Sequence, residues 1–84
     1  MRIKQIYSAT TMITKMVEVF KTDVREVSQA TRIIRKLRQH IPNSYINFDL
    51  EDCDNILRVE AENIPVQSVI KLLNNNGYRC EILT

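Results

Sequence analysis

The sequence predicts an α+β domain: a two-layer sandwich of a four-stranded antiparallel sheet with two helices on one face. Three observations predict it. Apolar residues alternate with period two in four short runs. They recur at intervals of three and four in two longer runs. The runs follow the order strand, helix, strand, strand, helix, strand, which is the split, ferredoxin-like βαββαβ order. An 84-residue chain with one glycine and two prolines holds one such domain with tight connections.

Residues 1–14 show no partner pattern and are set apart as a flexible or weakly ordered segment, so the domain is expected over 15–84. Met16–Thr22 alternates as the first strand, with Val17 and Val19 on one face and Met16, Glu18 and Phe20 on the other. Asp23 followed by Glu26 fits a helix N-cap with its capping-box partner. Val24, Val27, Thr31, Ile34, Leu37 and Ile41 then mark an amphipathic helix. Arg25, Arg32, Arg35, Lys36 and Arg38 are expected on its outer face. Pro42 stops it, because proline also restricts the residue before it.

Tyr45–Leu50 alternates again, with Ile46, Phe48 and Leu50 inward. A polar turn over 51–55 leads to Ile56–Ala61, with Leu57, Val59 and Ala61 inward. The pair reads as a hairpin. Asn63-Ile64-Pro65 opens a second helix, since asparagine caps and proline is tolerated in the first turn. Its apolar stripe is Val66, Val69, Ile70 and Leu73. Gly77 suits the left-handed position that closes a helix. Tyr78–Leu83 forms the last strand, with Tyr78, Cys80 and Ile82 on one face.

Charge is divided along the chain. Residues 1–42 hold nine Lys and Arg against three carboxylates; residues 43–84 hold three against seven. Such complementary halves either neutralise each other within one fold or steer association. Two cysteines, Cys53 and Cys80, form no chelating or redox motif, and one optional pair suits a reducing, cytoplasmic setting. No run approaches the length of a membrane-spanning helix, and Met1–Thr14 lacks a signal-peptide apolar core.

With those elements placed, the chain from Lys15 to Thr84 resembles the heavy-metal-associated domain, a copper-chaperone-like family. The closing segment Asn76-Gly77-Tyr78-Arg79-Cys80-Glu81-Ile82-Leu83 carries the resemblance most clearly. Tyr45–Leu50, the acidic turn and Asn55–Glu60 are similar to the family's central hairpin. The resemblance implies the sandwich described above. In the family a Met-x-Cys-x-x-Cys loop after the first strand binds a soft metal ion. Here that loop reads Lys21-Thr22-Asp23-Val24-Arg25-Glu26-Val27, with Val24 and Val27 about where the cysteines would stand. Valine offers a metal nothing, so no metal ligand carries over and no cofactor is expected.

Other chemistry is sparse. Cys53 sits among carboxylates, which argue against a nucleophilic thiolate there, and Cys80 is expected as a small core residue. A site using both would need the hairpin tip and the last strand to meet. Asp49, Glu51, Asp52 and Asp54 read as a solvated hairpin tip, without the spacing or glycine of a calcium loop. His40, the one histidine, falls at a helix C-terminus. No glycine-rich phosphate loop exists, since Gly77 is the sole glycine. No catalytic residue is proposed, and an enzyme is not expected.

Binding is the remaining class. The outward sheet positions are read as Glu18, Phe20, Arg58 and Glu60, with Met16, Ile56 and Leu83 as further apolar points. One aromatic among mixed charges is a poor base-stacking platform, so nucleic-acid binding by the basic first helix is a minor alternative. The leading expectation is a non-catalytic module that has lost its metal-binding cysteines and acts through a protein partner or as a homodimer. Residual metal binding or sensing at Cys53, Cys80 or the carboxylates is the other alternative.

Overall fold

The computed structural model describes residues 15–51 and 53–83. Residues 1–14, and the flexibility expected of them, lie outside the described residues. The chain runs β1 (Met16–Thr22), α1 (Val27–His40), β2 (Tyr45–Asp49), β3 (Ile56–Ala61), α2 (Val66–Asn75) and β4 (Cys80–Ile82). The strands form one sheet in the order β2-β3-β1-β4, and every pair is antiparallel. This is the expected ferredoxin-like arrangement. β2 lies at one edge, as its position in the order demands, and β4 lies at the other.

The core lies between the sheet and the two helices. Leu57, Val59 and Ala61 of β3, Ile46 of β2 and Cys80 of β4 point into it, with Phe48, Tyr78 and Ile82 packed against them. The alternation in these three strands thus chose the inward face correctly. In β1 it did not. Phe20 is fully buried, and Val17 is 49% exposed. Pairing explains the reversal. Phe20 stands opposite Leu57 and Glu18 opposite Val59, and directly opposed residues project to the same side of a sheet. Once Leu57 and Val59 face the core, Phe20 must do so too. Both faces of β1 are apolar in sequence, so its own alternation carries no preference.

The start of α1 also differs from expectation. Its N-cap is Glu26, not Asp23, and Glu26 forms a reciprocal capping box with Gln29. The Gln29 Oε1 accepts the backbone N–H of Glu26 and of Arg25, both at 3.2 Å. Asp23 is drawn elsewhere: its Oδ1 accepts the N–H of Arg79 at 2.8 Å. The inward stripe is Ala30, Ile33, Leu37 and Ile41, with Ile34 beside it. Val27, expected inward, is 75% exposed at the first helical position, and Thr31 is exposed too.

α2 begins after Pro65, its N-cap, so Asn63 is not the cap. Val69 and Leu73 are its buried residues, flanked by Val66, Ile70 and Leu72. Its end is as expected. Gly77 has φ +92°. The Tyr78 N–H reaches the Leu73 carbonyl at 2.9 Å, and the Gly77 N–H reaches that of Asn74 at 3.0 Å. Those two bonds are the Schellman closure, which needs a left-handed residue at this point. They also take Tyr78 out of the ladder, so β4 is shorter than the expected Tyr78–Leu83.

Candidate functional site

The loop from Thr22 to Glu26 is where the resembled family holds metal, and here it is built as a closure. The backbone N–H of Thr22 donates to the Asp54 carbonyl at 3.2 Å. Its hydroxyl donates to the Asn55 carbonyl at 2.6 Å and accepts the Val24 N–H at 3.2 Å. These bonds turn the chain inward after β1 and drive the Val24 side chain to full burial. On the far side Asp23 binds the backbone of Arg79. The loop's polar groups are therefore used in tying three segments together. Asn55 helps by adopting φ +48°, a left-handed conformation that asparagine tolerates better than most residues.

Val24 and Val27, which stand about where the resembled family's cysteines would, do different things. Val24 fills the core; Val27 points to solvent at the head of α1. Two metal-binding thiols must converge on one ion, and these positions diverge.

Cys80 lies across the same end of the sheet, opposite Thr22 in the ladder. It is 9% exposed. Burial, with a smaller contribution from the Glu81 carboxylate, pushes its thiol up from 9.0 to about 12. A thiol so held is protonated and a poor ligand or nucleophile. Cys53 is exposed in the hairpin turn. The hairpin and β4 do reach the same end of the sheet, because Thr22 bonds to one and pairs with the other. They flank β1 on opposite sides, however, and Cys80 faces the core. Among the described residues, no group of three or more His, Cys, Asp and Glu side chains is placed to hold a metal ion. The acidic turn is instead engaged locally: Asp49 Oδ1 accepts the Glu51 N–H at 3.2 Å, and Asp54 lies 3.7 Å from Lys21 Nζ. His40 is exposed, its Nδ1 3.4 Å from the Lys36 carbonyl.

The sheet's outer face is the more open feature. The pairings lay it out in three rows. Tyr45, Glu60 and Val17 form the first. Asn47, Arg58 and Val19 form the second, which Leu83 extends by donating its N–H to the Val19 carbonyl at 2.8 Å. Asp49, Ile56, Lys21 and Glu81 form the third. Tyr45 is 57% exposed and Leu83 44%. The sequence reading placed Ile56, Arg58, Glu60 and Leu83 on this face correctly. It put Phe20, Glu18 and Met16 there wrongly, and missed Val17 and Val19. The β1–β3 register was the signal that would have found them.

No helix among the described residues is long and apolar enough to cross a membrane. No family model matches the chain, no curated protein matches it, and no solved structure matches it.

Proposed function

We propose that this chain is a non-catalytic, heavy-metal-domain-like module that acts in the cytoplasm as a homodimer joined through its open sheet face. The observation that carries this reading is the apolar set Tyr45, Ile56, Val17, Val19 and Leu83, which crosses β2, β3 and β1 and ends just after β4 on the face away from the helices. Apolar area of this kind gains stability when it leaves water. The surrounding charges are of both signs: Lys21 and Arg58 stand among Asp49, Glu60 and Glu81. A two-fold axis sets a face against itself, so a face bearing both signs can be self-complementary. The rebuilt β1–α1 loop and the protonated, buried Cys80 support a binding role over a metal-handling or catalytic one. The unlinked cysteines suit a reducing compartment.

Sedimentation equilibrium over a wide concentration range tests the reading. A reversible dimer is expected, with Val17→Arg and Leu83→Arg each shifting it toward monomer. Both sites are about half exposed, and the arginine at 17 would face Glu60, so thermal unfolding of the monomers should change little. A strict monomer at every concentration, or a dimer indifferent to both substitutions, would overturn it.

A further inference from the structure

The division of charge seen along the sequence becomes a division between layers in space. α1 and α2 together carry Arg32, Arg35, Lys36, Arg38 and Lys71, and neither helix contains an Asp or Glu. The carboxylates of the described residues all fall outside the two helices. Among the described residues, none of those five cations lies within ion-pair distance of a carboxylate. All but Lys36 are exposed.

A groove of about 430 Å³ runs between the two helices. Lys36 and His40 line it from α1, and Ser68, Lys71 and Asn75 from α2. Lys36 is held there by a hydrogen bond from its Nζ to Asn76 Oδ1, while Asn76 Nδ2 donates to the Leu72 carbonyl at 2.7 Å. Arg32, Lys36 and His40 follow one another at intervals of four residues, so they form a row along α1 with steps of about 6 Å. Arg32 and Arg35 stand on the crest, opposite the buried stripe of Ala30, Ile33 and Leu37.

We propose that this helical layer binds the phosphate backbone of nucleic acid, without reading its sequence, along the groove between α1 and α2. The cations Arg32, Arg35, Lys36 and Lys71, interleaved with neutral amide and hydroxyl groups, match a repeating chain of phosphates, which takes contacts from Arg, Lys, Ser, Asn and Gln. Base reading has no platform here. Phe20, Phe48 and Tyr78 belong to the core or pack against it, and Tyr45 lies on the opposite face. The acidic hairpin of a second copy fits less well. Seating it on the helices is a head-to-tail contact, which propagates unless its rotation happens to close. The proposal is independent of the sheet-face dimer, since it uses the other side of the molecule.

The test is fluorescence anisotropy of a short mixed-sequence DNA duplex and of a single-stranded RNA, titrated with the whole chain across a range of KCl concentrations. Three to four neutralised phosphates predict a slope of log K against log salt of about −2.7 to −3.6 on the duplex and about −2.1 to −2.8 on the single strand, a loss of roughly 40- to 150-fold and 20- to 50-fold from 50 to 200 mM salt. The double variant Arg32→Glu, Arg35→Glu should weaken binding at least about tenfold at low salt, in the direction that lost phosphate contacts require. Lys71→Glu should weaken it less, and Val17→Arg on the sheet face should not weaken it. All these sites are exposed, and circular dichroism confirms that each variant is folded. No binding at low salt, no dependence on salt, or wild-type binding by the double variant would overturn the proposal. Equal affinity for polyglutamate or for anionic vesicles would overturn the assignment to nucleic acid.

Discussion

The hydroxyl of Thr22 donates a 2.6 Å hydrogen bond to the carbonyl of Asn55, joining the end of β1 to the start of β3. The same oxygen accepts the buried N–H of Val24. One side chain thereby satisfies a backbone acceptor and a backbone donor where the sheet stops and the chain turns into the core. Thr22→Val keeps the shape and leaves both groups without this partner. It should destabilise the fold by about 1–3 kcal/mol, the cost of stranding buried polar groups. Thr22→Ser keeps the hydroxyl and should recover most of that loss. Urea unfolding of the three proteins measures both effects; equal midpoints for the valine and serine variants would refute the role given to the hydroxyl.

The two valines of the β1–α1 loop should respond differently to the same change. Val24→Ala removes buried methyl groups from a fully enclosed site and should cost about 2 kcal/mol. Val27 sits in solvent at the head of α1. Val27→Ala should change stability by no more than about 0.5 kcal/mol, with alanine's helix propensity favouring the variant. Comparable losses at both sites would show that the two side chains share one core.

Cys80 should behave as a protonated core residue. Its folded pKa, near 12, lies above the ordinary 9.0, so the native state retains a proton that the unfolded chain gives up. Linkage then fixes the sign: the stability owed to the neutral thiol is complete below about pH 9 and falls as pH rises from 9 toward 12. Cys80→Ala should flatten that alkaline fall. Alkylation separates the two cysteines: Cys53, exposed in its turn, should react with iodoacetamide in the native protein, while Cys80 should react only after unfolding. Early labelling of Cys80 would contradict its placement.

Much of the fold was legible in the residues themselves. β2, β3 and β4 each carry a face that alternation selects, and the order of elements allows few sheets. Gly77 could be recognised because left-handed backbone strongly favours glycine. These are local properties: they depend on a residue and its near neighbours, which sequence displays.

The tertiary structure decided three further matters, each through residues distant in sequence. β1 is apolar on both faces, and its inward set was settled by Leu57 and Val59 across the ladder. Asp23 fits an N-cap in sequence, but its carboxylate accepts the backbone N–H of Arg79, 56 residues away, and Glu26 caps α1 instead. Two helical spans that contain no Asp or Glu were brought side by side, because folding laid α2, with its single lysine, beside the basic α1. Periodicity records which residues are alike; only packing determines which of them meet.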